Sequence, residues 1–125
     1  MIFDTDVLVW FLRGNSKAVD TVLNSSSISI SVVTYMELLQ GARDKQEIAQ
    51  IKRSLGKMGV QIVPISESIS SRAAELVEQF TLSNPMELAD ALIAATCLSS
   101  GEPLITANDK HYKVVKGLDF EVFRP

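Results

Sequence analysis

The sequence predicts an α/β fold: a short parallel sheet of about five strands flanked by helices on both faces. Three observations predict it. Short apolar stretches alternate with helical ones along the whole chain. Each of those stretches is short and apolar, as the strands of a sheet covered on both faces are. The chain has 125 residues, 46% of them hydrophobic, enough to bury the core of one domain over residues 1–125. No repeat, low-complexity tract or linker interrupts it.

Ile2-Phe3 begins a strand that ends at Asp4-Thr5-Asp6, and Val7 to Leu12 follows as an apolar helix stopped by Arg13-Gly14-Asn15. Lys17 to Leu23 makes a short helix before the Ser25-Ser26-Ser27 loop. Ile28-Ser29-Ile30 alternates as a strand. Ser31 to Ala42 reads as a helix, with Ser31 or Thr34 at its start and Gly41 near its end. Asp44 to Lys57 is amphipathic: Ile48, Ile51, Leu55 and Met58 share one face, with Lys45, Lys52, Arg53 and Lys57 off it. Val60 to Val63 is a strand closed by Pro64, and Glu67 to Phe80 a helix. Ser83-Asn84-Pro85 then turns into a nearly all-apolar helix, Glu87 to Leu98. Leu104-Ile105 is a strand opening into the loop Thr106 to Asp109, and Glu121 to Phe123 is a terminal strand.

The formal net charge of −3 argues against gripping nucleic acid through overall positive charge, although it leaves room for a nuclease that recruits cations locally. The single cysteine, Cys97, lies in the apolar helix, so no internal disulfide forms and a reducing, cytoplasmic setting fits. The N-terminal MIFDTDVLVWFLRG carries two acids and no basic leader, unlike a signal peptide. No run of about 18 uncharged apolar residues is present, so no membrane span is expected.

The acids carry the functional signal. Asp90 sits inside the apolar helix, and no Lys or Arg occurs between Arg72 and Lys110 to neutralise it. A buried unpaired carboxylate is costly, so Asp90 requires a cation, a basic side chain or several donors. Asp4 stands at a strand end, where open parallel sheets place their sites. Asp6 is the better cap for a helix from Val7, which leaves Asp4 without a structural task. Glu37 has a plainer alternative, since Thr34-Tyr-Met-Glu37 has capping-box spacing. Glu87 reads as solvated first-turn decoration, and Asp109 alone would pass as a turn residue. Two such acids brought together repel unless a divalent cation lies between them.

In this order and spacing, several fragments resemble the PIN-domain family, most closely the VapC-like toxins of toxin–antitoxin pairs. They are Asp4-Thr5 with Val7-Leu8-Val9, Ser31-Val-Val-Thr34 leading to Glu37-Leu-Leu-Gln-Gly41, Asp90-Ala-Leu-Ile-Ala-Ala-Thr96, and Leu104-Ile-Thr106-Ala-Asn108 before Lys110-His-Tyr112. The resemblance covers nearly the whole chain. It implies a Rossmann-like sheet, a Mg²⁺- or Mn²⁺-dependent ribonuclease, a homodimer and a protein antitoxin as partner. It also makes Glu37 functional, because the family places its second acid there. One departure stands out: where many VapC-like proteins carry a fourth acid, this chain has His111. Asp109, two residues earlier, is the alternative for that place.

Hydrolysis of a phosphodiester needs an activated water, neutralisation of phosphate charge and a stabilised leaving oxygen, which carboxylate-held Mg²⁺ can supply. On this reading Asp4 and Asp90 are the principal metal ligands. Glu37 orients the attacking water or takes a second ion, and Asp109 completes the catalytic acids. Thr106 and Asn108 hold the carboxylates by hydrogen bonds. Arg13, Lys17, Arg43, Lys45 and Lys110 are the basic residues able to rim the site for RNA, each with a plain reading as a solvated surface charge. No Cys/His cluster suits zinc, and one histidine supports no convincing Ser-His-Asp triad. Two other functions remain open. Asp4-Thr-Asp6-Val7 resembles the nucleophile motif of haloacid-dehalogenase phosphatases, with Asp4 as nucleophile and Asp6 as acid/base. A non-catalytic PIN scaffold for protein binding is the other, and the retained acids argue against it. A phospho-acceptor receiver is excluded because the third strand ends in Val63-Pro64, without an Asp to phosphorylate.

Overall fold

Ile2 and Phe3 form a strand of only two residues, β1, yet both are completely buried, because β1 is the middle of the sheet. In this computed structural model, which describes Met1–Pro125, β2 (Ser29–Ser31) and β4 (Leu104–Thr106) flank β1, while β3 (Gln61–Val63) and β5 (Phe120–Val122) form the edges. Every neighbouring pair is parallel, in the order β3-β2-β1-β4-β5. The expected five-stranded parallel sheet is therefore present.

Successive residues of a strand point to opposite faces, and the register aligns them into two sets. Ile2 pairs with Leu104 and Phe3 with Ile105. Ile2 and Leu104 enter an apolar layer with Ile69, Ala73 and Leu76 of α5 (Glu67–Phe80), with Ala91, Ile93 and Ala94 of α6 (Leu88–Ser100), and with Tyr112 of α7 (Asp109–Tyr112). Phe3, Ile30 and Ile105 enter the opposite layer. Its other members include Val7 and Leu8 of α1 (Thr5–Leu12), Val22 of α2 (Ser16–Leu23), Leu38 of α3 (Val32–Gln40), and Ile51 and Leu55 of α4 (Lys45–Lys57). No helix is long and apolar enough to cross a membrane.

Several helix starts differ from the sequence expectation, each through a local donor–acceptor choice. Helix α1 begins at Thr5 rather than Val7. Asp4 is extended (φ −70°, ψ 156°), and its carboxylate accepts the Thr5 N–H at 2.8 Å. Asp4, not Asp6, is thus the cap. Ser31 caps α3 by accepting the Val33 N–H at 3.1 Å. That choice places Glu37 in the middle of the helix and removes the capping-box reading with Thr34. Helix α6 begins at Leu88, so Asp90 lies in its first turn rather than deep in an apolar interior. Its carboxylate accepts the Glu87 N–H at 2.9 Å, one half of a reciprocal capping box. The same helix is less buried than its composition implies: Leu88 is 70% exposed, while Ala91 and Ile93 to Cys97 are covered. Gly101, at φ +66°, closes α6 in the left-handed region open to glycine.

The chain runs outward from β1 to β2 and β3, then returns to the other side of β1 for β4 and β5. The strand order reverses between β1 and β4, whose carboxyl ends are Asp4 and Thr106. Open α/β sheets leave a crevice at such a switch point.

Candidate active site

At that crevice, the Asp4 N–H donates to the Ile105 carbonyl at 2.9 Å, holding the ends of β1 and β4 together. Two close donors hold the Asp4 carboxylate: Oδ1 accepts the Thr5 N–H, and Oδ2 accepts the Thr106 hydroxyl at 2.7 Å. Thr106 Oγ1 in turn accepts the Asn108 N–H at 2.9 Å, so the loop after β4 braces the residue that braces Asp4. Asp4 is 5% exposed. Burial, and next the charge of Asp6, push its carboxyl up to about 7, against the opposing hydrogen bonds from Thr106, Thr5 and Tyr112. Asp6 is pushed upward as well, by burial first, with Asp90 adding to the shift. These acids share an enclosed space with too little positive charge.

Asp90 approaches from the first turn of α6 and is better supplied. Besides the Glu87 N–H, its Oδ2 meets His111 Nδ1 at 2.7 Å, and its Oδ1 accepts the Tyr112 hydroxyl at 3.3 Å. Both of those side chains come from α7. Glu37 approaches from α3, exposed, with its Oε1 accepting the Thr5 hydroxyl at 2.7 Å. Thr34, buried one helical turn before Glu37, is 3.1 Å from the same hydroxyl.

Asp4, Asp6, Glu37, Glu87 and Asp90 line one cleft of about 310 Å³ together with Thr5, Asn108 and His111. No Lys or Arg lines it. The expected Asp4, Glu37 and Asp90 are therefore brought together, with Thr106 and Asn108 beside them. Asp109 is not. Its carboxylate accepts from Arg124 Nη2 at 2.8 Å, and Arg124 Nη1 also donates to the Ala107 carbonyl at 2.7 Å. The tip of the loop turns Asp109 toward this guanidinium, which also holds its carboxyl below the usual range. The short α7 then presents His111 to the cleft instead.

Sequence reasoning overlooked four contributors. Thr5 and Thr34 steer Glu37; Thr34 and Glu37 are three residues apart and so share one face of α3, a spacing visible in the sequence. Asp6 joins the acids once Asp4 takes over the cap. Tyr112 reaches Asp90 from a core position that only the fold reveals. The expected basic rim is absent from the cleft itself. Arg13 lies in a neighbouring groove of about 360 Å³, which shares Val9 and Glu37 with the cleft, and sits 6.0 Å from the Trp10 ring. Arg43 pairs with Glu47 at 2.7 Å.

No three Asp, Glu, His or Cys side chains converge into a ready-made metal cage. The donors nonetheless fit a hard divalent cation that keeps several waters and takes only one or two carboxylates directly. Asp4 supplies the observation that tests this fit: it is buried, bonded only to neutral groups, and pushed upward by burial and by the charge of Asp6. The covalent-nucleophile reading of Asp4 loses ground, since both of its oxygens are already held and it serves as a helix cap.

Fold and cleft together define an α/β protein with an acidic cleft at the switch point of a parallel sheet. The PIN domain family profile matches residues 1–118, and the chain belongs to the PIN-domain family. Nucleases of this family are generally dependent on divalent metals. Among solved structures, a toxin–antitoxin complex from Klebsiella pneumoniae is similar at 27% identity, covering 94% of this chain and 93% of that one, with TM-score 0.79. VapBC2 from Rickettsia felis, bound to a DNA fragment from its promoter, has 22% identity, coverage of 99% and 100%, and TM-score 0.82. VapBC-1 from nontypeable Haemophilus influenzae has 22% identity, coverage of 98% for both chains, and TM-score 0.81. No curated protein sequence gives a match.

Proposed function

We propose that this chain is a Mg²⁺- or Mn²⁺-dependent endoribonuclease acting as the toxin of a VapBC-type toxin–antitoxin pair. The observation that carries the reading is the convergence of Asp4, Asp6, Glu37 and Asp90 on one cleft without a lysine or arginine. Asp4 and Asp90 are the principal ligands, and Glu37 is next. The bound cation would supply Lewis-acid activation of water and neutralisation of phosphate charge. Thr106 holds Asp4 by its hydroxyl, and Asn108 holds Thr106. Thr5 fixes Glu37 through Oε1, which leaves Oε2 free of protein donors and able to accept a proton from an attacking water. His111, in the place of a fourth acid, keeps Asp90 oriented through Nδ1.

The partner is a protein antitoxin whose basic side chain, an Arg by preference, enters the acidic cleft. A toxin–antitoxin relative at 27% identity supports this assignment. The protein is a homodimer in the reducing cytoplasm, where the lone buried Cys97 stays a thiol. Part of the apolar surface of α1 and α3 is already spent within the chain itself. Leu38 is spent in the chain's own core, and Trp10, Phe11 and Leu39 are half-buried.

The test is RNA cleavage with added Mg²⁺ or Mn²⁺, comparing the protein with Asp90→Asn. Cleavage that needs the cation and disappears in the variant is the expected result. Undiminished cleavage in EDTA would end this reading.

A further inference from the structure

Tyr112 is the largest fully buried side chain in the protein, and its ring belongs to the apolar layer beneath α5 and α6. A phenylalanine would fill that place equally well. A buried hydroxyl is costly unless it is bonded, so core packing alone gives no reason for the phenol oxygen. That oxygen bonds Asp90 Oδ1 at 3.3 Å, and the Asp4 carboxylate faces it as well. We propose that Tyr112 is a positioning residue that ties Asp4 to Asp90 through one hydroxyl set between the two carboxylates.

The two acids arrive from different parts of the fold, Asp4 from the end of β1 and Asp90 from the first turn of α6. The other donors to each are private. Thr5 and Thr106 serve Asp4, while Glu87 and His111 serve Asp90. Only Tyr112 meets both. A phenol has one proton to donate, so it bonds one carboxylate at a time and draws both toward the same oxygen. Two carboxylates left alone would move apart by repulsion. The hydroxyl keeps them at one spacing before a cation arrives, and binding then requires less rearrangement. This role rests on the metal-site reading above.

Calorimetric titration of Mg²⁺ and Mn²⁺ into the protein and into Tyr112→Phe at pH 8 tests it. Hydrogen bonds to metal-holding groups are commonly worth 10–100-fold in affinity, so an approximately tenfold weaker binding of both ions is expected. The loss of RNA cleavage should be recovered at saturating cation, which a general loss of structure would not allow. A second measurement needs no variant of Tyr112. The chain has two tyrosines, Tyr35 and Tyr112, so ¹³Cζ-tyrosine labelling gives a simple spectrum, with Tyr35→Phe assigning the signals. The Tyr112 signal should move as Mg²⁺ is titrated in. Equal cation affinity in Tyr112→Phe, or a Tyr112 signal indifferent to Mg²⁺, would overturn the role of Tyr112 while leaving the metal site standing. A wild-type protein that binds neither ion would remove the metal-site reading and this role with it.

Discussion

The two halves of the acidic cleft solve the same electrostatic problem differently. The strand-built half holds Asp4 at the junction of β1 and β4, nearly out of solvent, with one backbone N–H and one threonine hydroxyl. The helix-built half holds Asp90 at the start of α6, with a backbone N–H, an imidazole and a phenol. A helix N-terminus offers unsatisfied N–H groups and a favourable dipole to a carboxylate. A strand end offers a fixed position and little else. Asp4 therefore bears the cost of burial, with its carboxyl raised to about 7, and is the half that would gain most from the proposed cation.

The largest expected effects come from removing either charge. Asp4→Asn and Asp90→Asn should each lower cation-dependent RNA cleavage by more than about 100-fold, beyond what groups that only support the ligands contribute. Their metal-free stabilities should move in opposite directions. At pH 8, Asp4→Asn removes a buried, poorly compensated charge and should melt several degrees higher. Asp90→Asn weakens a helix cap and a contact with His111 and should melt lower. Melting curves by circular dichroism decide this, and a shift of the same sign in both would break the contrast between the two halves.

A second effect is pH dependence on the strand side. The Asp4 carboxyl is raised in the folded state to about 7 from an ordinary value of 3.8. The folded protein thus binds the proton more tightly than the unfolded chain does. Its contribution to stability is complete below about pH 3.8 and is lost as pH rises through about 7. Metal-free protein should consequently melt lower at pH 8 than at pH 5.5. Saturating Mg²⁺ should reverse much of that loss, because the ion competes with the proton for the same carboxylate. Below pH 7, Mg²⁺ affinity should fall about tenfold per pH unit, the slope for one displaced proton. A flat calorimetric profile between pH 5.5 and 7 would show that Asp4 is not the titrating ligand.

On the helix side, His111→Ala is expected to weaken Mn²⁺ binding more than Mg²⁺ binding, since nitrogen donors suit the transition metal better. A difference of about tenfold between the two ions would place the imidazole on the cation. Equal, modest losses would confine it to orienting Asp90. The smallest effect should come from Asp109→Asn, because that carboxylate serves Arg124 outside the cleft. Metal affinity should stay within about twofold of the parent, in the range of surface substitutions. A loss matching that of Asp90→Asn would show that the loop rearranges to deliver Asp109 as a ligand.

Much of this site was legible before the fold. Asp4 at a strand end, Glu37 and Asp90 in helices, and Thr106 with Asn108 after the last central strand all meet at one cleft. The alternation of short apolar strands with helices allowed this, since it points to a parallel sheet covered on both faces. Element ends were less legible, because a helix start depends on which of several nearby oxygens takes an N–H. Asp4 outcompeted Asp6, and Ser31 outcompeted Thr34. Those choices reversed the structural meaning of three acids: Asp4 gained a capping task, Glu37 lost one, and Asp90 became half of a capping box.

The sequence by itself determined the sheet class, the order of strands and helices, and the acids that gather where the strands end. These follow from local hydrophobic pattern and from the crevice geometry of parallel sheets. Only the tertiary structure decided which donors each acid received. Tyr112 stands between His111 and Lys113 in a polar stretch that gives no hint of a buried ring, and its hydroxyl reaches the acids only because α7 packs beneath the first turn of α6. Arg124 draws Asp109 out of the cleft from near the chain's far end. Hydrogen bonds between residues distant in sequence act over about 3 Å, and no local pattern encodes contacts that the folding of the sheet brings within that reach.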